Sequence, residues 1–184
     1  LKVNVTRKLR DLISGGKKRI AIVCTPCEVK AARKIQQTTA KNCEITVIGL
    51  FCYGAFNPSK LKVKVKARLG VDLDKATKIQ VRNGKLTVQA DGREYSCNLK
   101  DLECAIEKSC LFCDDFTAEL ADVSVGSVGS KKGYSTVIVR SETGERILRN
   151  HGFEKGKVNK QEVSRLAKYK KERAKKSVTM LKGE

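Results

Sequence analysis

The chain reads as an α/β protein built from a short parallel βαβ unit, an antiparallel β extension and a long C-terminal helix. Three observations predict this. Two apolar, β-branched runs flank a well-capped helix between Arg19 and Phe51. From Ala76 to Leu99 the texture changes to strand alternation around Asn83-Gly84 and Asp91-Gly92. From Asn159 to Leu181 a lysine-rich stretch keeps helical spacing without a break. A chain of 184 residues with 40% apolar content is long enough to bury a core.

Element by element, Val3 to Ile13 has helical spacing and stops at Ser14-Gly15-Gly16. Arg19 to Val23 is a strand. Thr25 then serves as N-cap, Pro26 takes the first helical position and Glu28 completes a capping box, so a helix runs to about Gln37. Ile45 to Phe51 is the second strand, parallel to the first by a right-handed crossover, which sets Cys27 and Cys52 at one carboxyl-terminal sheet edge. Pro58 opens a helix toward Leu69, closed by Gly70, and the Ala76–Leu99 meander follows. Leu99 to Lys108 reads as a helix that delivers the chain to Cys110. Tyr134 to Arg140 is a strand followed by a turn at Glu142-Thr143-Gly144. The last helix, Asn159 to Leu181, has sparse apolar positions and packs by one narrow stripe. Residues 1–154 are expected to form one domain and 155–184 a basic C-terminal helix.

The formal charge of +19 invites a nucleic-acid or anionic-surface reading. Much of it lies in Lys155 to Lys182, which reads as a solvated helix, and aromatic residues are only 5% of the chain, not interleaved with the basic ones. No stacking platform for single strands results, so docking onto acidic partners or an anionic cofactor is expected and direct nucleic-acid contact is not. The sequence has no secretory apolar region and no run long enough for a transmembrane segment, so a cytoplasmic location with reduced thiols is expected for its eight cysteines.

Four of those thiols stand out. Cys110 and Cys113 form a C-x-x-C pair that offers two sulfurs from one loop, and Cys27 and Cys52 come from the sheet edge. Cys27 faces the positive end of a helix dipole, which favours its thiolate, and Cys52 precedes Tyr53-Gly54, a turn that admits a bulky group. Four convergent thiols suggest an iron–sulfur cluster. Cys43, Cys97 and Cys104 read as buried apolar groups. Cys24 with Cys27 makes a second C-x-x-C between strand and helix, the position of a thioredoxin-like dithiol pair; that alternative leaves Cys52, Cys110 and Cys113 unexplained and has no proline before a later strand. A basic zinc-containing nucleic-acid-binding module is the other alternative, although zinc-ribbon knuckles stand closer in sequence than these pairs. His151, the one histidine, lies in an exposed-looking turn and suits neither zinc binding nor general-base work.

Ala121 to Ser130 alternates small residues and can bring backbone N–H groups to an anionic or planar ligand. It is not a dinucleotide fingerprint or a phosphate-binding loop.

The series Thr25-Pro26-Cys27-Glu28, Gly49-Leu50-Phe51-Cys52, Cys110-Leu111-Phe112-Cys113-Asp114-Asp115-Phe116, Ala118 to Ser124, Gly126-Ser127-Val128-Gly129-Ser130 and Gly133 to Arg140 closely resembles the beta subunits of coenzyme F-420 hydrogenases and dehydrogenases. Order and spacing agree from about Arg19 to Arg140. The resemblance implies a flavin- and iron–sulfur-dependent oxidoreductase subunit of archaeal, methanogenic metabolism, in which FAD exchanges a hydride with the 8-hydroxy-5-deazaflavin coenzyme and single electrons with a 4Fe-4S cluster. It implies Cys27, Cys52, Cys110 and Cys113 as cluster ligands. It implies Asp122, Gly126, Ser127, Val128, Gly129, Ser130, Ser135 and Thr136 at the flavin. Partners would be the other subunits of a hydrogenase, formate dehydrogenase or similar redox complex. Members of the family carry a substantial region ahead of the first helix that contributes to the flavin and deazaflavin sites; this chain starts at Leu1 without it, so it is expected to be a fragment or one part of the active unit.

Overall fold

A computed structural model describes residues 4–82, 84–149, 153 and 156–183. The chain divides into two units, Leu1–Tyr53 with Cys113–Glu184, and Gly54–Phe112.

The first unit holds a four-stranded sheet in the order β1-β2-β6-β7. Helix α1 (Val5–Ser14) starts at Asn4, whose side chain accepts the Arg7 N–H; Val3, where the spacing began, lies outside the described residues. Strand β1 (Arg19–Cys24) alternates exposed and buried positions and pairs in parallel with β2 (Glu44–Leu50), from Arg19↔Glu44 to Cys24↔Gly49. Between them α2 (Pro26–Thr39) makes the expected crossover, its start fixed by Glu28, which accepts both the Thr25 N–H and hydroxyl at 2.8 Å. Leu9, Ile22, Val29, Ile35, Ile45 and Val47 form the core between these elements.

Strand β6 (Val123–Gly126) pairs in parallel with β2, so the segment read as a glycine-rich loop is in part a sheet strand. Its four residues are too few to show a period. Strand β7 (Thr136–Val139) pairs antiparallel with β6 and is shorter than the Tyr134–Arg140 run. The turn expected at Glu142-Thr143-Gly144 is instead the first turn of α5 (Glu142–Arg149). Gly144 is there because a Cβ would come within 2.3 Å of the Asp122 carbonyl oxygen, so close packing accounts for a glycine that otherwise signals a turn. Helix α6 (Lys160–Lys182) is capped by Asn159, which accepts the Glu162 N–H, and falls within this same unit. Its stripe is present at Val163, Leu166, Lys170, Arg173 and Ala174, but the helix is not simply solvated: Lys170 is 1% exposed.

The second unit contains α3 (Pro58–Leu69), with Asn57 as N-cap and Gly70 at φ +71, then the antiparallel sheet β3 (Lys78–Arg82), β4 (Lys85–Ala90) and β5 (Arg93–Asn98). The meander is therefore a sheet of its own. Asp91 and Gly92 both take positive φ in the second turn, whereas Asn83 of the first lies outside the described residues. Val65, Leu86, Val88 and Leu102 fill this unit's core. The continuous helix expected over Leu99–Lys108 is a 3-10 segment, Leu99–Ala105, broken where Ile106 forms a bridge with Phe56; only then does α4 (Lys108–Leu111) carry Cys110.

Candidate functional site

In the first unit, parallel strands β1, β2 and β6 all point their carboxyl ends at one sheet edge, where their continuations gather. Cys27 is the second residue of α2, exposed, with its Sγ 3.2 Å from the Thr25 hydroxyl oxygen. Cys52 follows β2. Its backbone N–H donates to the Phe116 carbonyl at 2.9 Å, which ties it to the loop that begins at Cys113. The Cys113 thiol donates to the Asp115 carbonyl at 3.6 Å. Lys170 then closes the arrangement: its Nζ donates to the Cys52 carbonyl at 2.6 Å and to the same Asp115 carbonyl at 2.7 Å. One turn beyond Cys27, Lys30 pairs with Asp114 at 2.8 Å, so α2 is fastened to the Cys113 loop as well. That bond, made with Lys30, holds the Asp114 carboxyl below the usual range.

Aromatic rings pack around this edge. Phe51 lies 5.4 Å from Phe116, Tyr53 stacks on Tyr169 at 6.1 Å, and the Arg173 guanidinium sits 4.8 Å above the Tyr53 ring while donating to the Tyr53 carbonyl at 2.7 Å. Backbone carbonyls of this edge, those of Cys52 and Tyr53, face two cations of α6.

Cys110 belongs to the second unit, half-buried on α4, where its sulfur accepts the Ala55 N–H at 3.4 Å. Its link to Cys113 is the two-residue spacing of the chain. Among the described residues no group of three or more His, Cys, Asp or Glu side chains is drawn together tightly enough to hold a single ion. A four-iron cube sets its thiolates wider apart than one ion does. The donor set itself suits such a cube: thiols outside any disulfide, one exposed and three half-buried, with one sulfur already taking a backbone N–H bond and one at a helix N-terminus.

The other cysteines separate from these. Cys24 is buried at the end of β1, and burial, with the nearby Glu28 carboxylate and Cys27 adding to it, pushes its thiol up to about 12. A thiol so hard to ionise is a poor partner for a dithiol exchange with exposed Cys27. Cys43 and Cys97 are buried as expected, whereas Cys104 is exposed on the 3-10 segment, because the helix expected to bury it does not form. His151 lies outside the described residues.

The residues assigned to the flavin have duties within the fold. Asp122 is buried; its carboxylate pairs with Arg33 at 2.8 Å and accepts the Val47 N–H at 2.8 Å and the Ser141 hydroxyl at 2.6 Å. Burial pushes this carboxyl up, but the bonds from Ser141, Val47 and Arg33 outweigh it and hold it below its ordinary value. Thr136 is buried and donates to the Val128 carbonyl, and Ser130 donates to the Ser127 and Tyr134 carbonyls. A Cβ at Gly126 would strike the Phe51 ring, and one at Gly129 would meet the Asn159 carbonyl at 2.8 Å. Only Ser127 and Ser135 of the set are exposed. The side chains of Asp122, Ser130 and Thr136 are thus engaged within the fold. Sequence reasoning missed Lys170 and Arg173, although a lysine in the middle of an apolar stripe was the available signal.

Residues 17–165 match the family described as the C terminus of the beta subunit of coenzyme F-420 hydrogenase/dehydrogenase. The chain belongs to that family. It is 36% identical over 186 residues to a coenzyme F-420-dependent sulfite reductase of Methanocaldococcus jannaschii, covering 92% of this chain and 29% of that protein. It is 38% identical over 138 residues to the coenzyme F-420 hydrogenase subunit beta of Methanococcus voltae, covering 71% of this chain and 48% of that relative. Among solved structures, a chain of the F-420-reducing NiFe hydrogenase complex from Methanosarcina barkeri aligns with a TM-score of 0.80 at 26% identity, over 93% of this chain and 64% of that one. The chain thus spans 29% and 48% of the length of these two relatives of the F-420 family. Among the described residues no helix is long and apolar enough to cross a membrane.

Proposed function

We propose that this chain is the electron-transfer part of an oxidoreductase that reduces or oxidises coenzyme F-420, and that Cys27, Cys52, Cys110 and Cys113 hold a 4Fe-4S cluster. The observation that carries the reading is the fastening of the Cys52 and Cys113 loops to each other, through Cys52 N–H to Phe116 and through the Lys170 bridge, at the edge where Cys27 opens α2. Cys110 enters the set through its spacing from Cys113. A bound cluster would supply single-electron transfer. The chain's own contribution is to hold the thiols in place, to limit water with Phe51, Phe116 and Tyr53, and to donate N–H bonds to sulfur such as Ala55 to Cys110.

FAD is the second cofactor of the proposal, by analogy with what the resemblance implies. Asp122, Gly126, Ser127, Val128, Gly129, Ser130, Ser135 and Thr136 are the residues proposed to lie at it, and of these Ser127 and Ser135 are exposed. Partners are the other subunits of a hydrogenase, formate dehydrogenase or similar complex, in keeping with the names of the relatives.

The test is serine substitution at each of the four cysteines, beside Cys43→Ser and Cys104→Ser as controls, with iron and acid-labile sulfide assayed on protein purified without oxygen. Each of the four is expected to lose most of its iron while both controls keep it. Equal iron in all six variants contradicts the ligand set.

A further inference from the structure

Lys170 is an unusual lysine. It is 1% exposed, the largest fully buried side chain of the described residues, on a helix otherwise lined with solvated lysines. Its Nζ is satisfied by two backbone carbonyls, Cys52 at 2.6 Å and Asp115 at 2.7 Å, and among the described residues no carboxylate forms an ion pair with it. Neutral carbonyls compensate a buried ammonium only in part, and lysine is almost never so buried without an opposite charge nearby. Both carbonyls belong to the cysteine loops: one is the peptide oxygen of Cys52 itself, the other also accepts the Cys113 thiol. Arg173, one turn further along α6, repeats the pattern on the Tyr53 carbonyl. The cationic face of α6 is thus aimed at the segment that carries two of the proposed thiolates.

We infer that Lys170 is a positioning residue for the metal centre: it clamps the Cys52 and Cys113 loops together and supplies the fixed positive charge that balances the negative charge of a thiolate-bound cluster. This rests on the cluster reading above. A fixed cation beside an anionic centre favours the state that carries one more electron, so removing the charge must make the centre harder to reduce, while removing the clamp alone must loosen the loops.

Three variants separate these effects. Lys170→Gln keeps a donor for a carbonyl and loses the charge, Lys170→Met loses both, and Lys170→Arg keeps the charge. Each is purified without oxygen beside the wild type, assayed for iron and sulfide, and titrated with dithionite in the presence of mediators while the visible spectrum is followed. The expected result is a midpoint potential that moves to more negative values in Lys170→Gln, with iron content close to wild type, and stays near wild type in Lys170→Arg; Lys170→Met is expected to show the same shift with reduced iron. A wild-type protein that holds no cluster removes the reading on which the inference rests. Wild type and Lys170→Gln loaded alike, with the same potential, overturn the inference alone. If only Lys170→Arg folds, Lys170 is a structural tie and the electrostatic claim fails.

Discussion

At the scale of single residues, close contacts at the sheet edge explain why particular small or polar side chains stand where they do. Gly49, in the middle of the sheet between Cys24 and Ser124, leaves the space into which Ala118 and Ala121 press; a Cβ there would come within 2.3 Å of the Ala118 methyl. Ala118 itself takes φ +56, a conformation that L residues adopt at a cost, and its buried methyl fills the gap that Gly49 leaves. Gly49→Ala is expected to destabilise the fold by about 1–3 kcal/mol through overpacking, read as a lower urea midpoint. Asp122 is the second such residue. Its folded pKa is depressed, so its stabilisation is complete above the unfolded carboxyl value of about 4 and is lost as pH falls through the lower, folded value. Urea midpoints measured from pH 7 downward should therefore fall on the acid side for the wild type and change less steeply for Asp122→Asn. At pH 7 that variant leaves Arg33 without its charge partner and should lose about 3–5 kcal/mol.

At the scale of elements, the legible parts were those with local chemistry. Thr25, Pro26 and Glu28 mark the start of α2, Pro58 and Gly70 bracket α3, and the Asp91-Gly92 turn fixes the register of β4 on β5, all through near neighbours in the chain. The parts that were not legible depend on tertiary contact. Strand β6 is four residues long and is a strand because β2 lies beside it; α5 begins where a glycine suggested a turn, because Gly144 packs on the Asp122 carbonyl. Of the candidate site, the cysteines could be named from the sequence, but the bonds to the Cys52 and Asp115 carbonyls come from Lys170, far along the chain in a helix that composition alone marks as solvated. Gly129 shows how that helix is seated: at φ +83 its carbonyl accepts the Asn159 N–H at 2.8 Å, and a Cβ would meet Val163 and Asn159. Gly129→Ala should loosen the start of α6, and limited trypsin digestion should then cut at the lysines and arginines of that helix faster than in the wild type.

At the scale of the whole molecule, a family of redox subunits, a set of four thiols and a strongly positive chain fit one account. Within a chain of charge +19, two cations of α6, Lys170 and Arg173, are carried inward to the backbone carbonyls of Cys52 and Tyr53. Cys27, Cys52 and Cys113 lie in the unit with the parallel sheet, and Cys110 lies on α4 of the unit with the meander. What decides the account is whether these thiols take up iron and sulfur. The direct measurement is iron and acid-labile sulfide per chain on protein purified without oxygen, with a visible spectrum before and after dithionite. About four irons and four sulfides, with a broad absorption that bleaches on reduction, are expected. Zinc, or no metal at all, in protein never exposed to air would contradict the cluster reading.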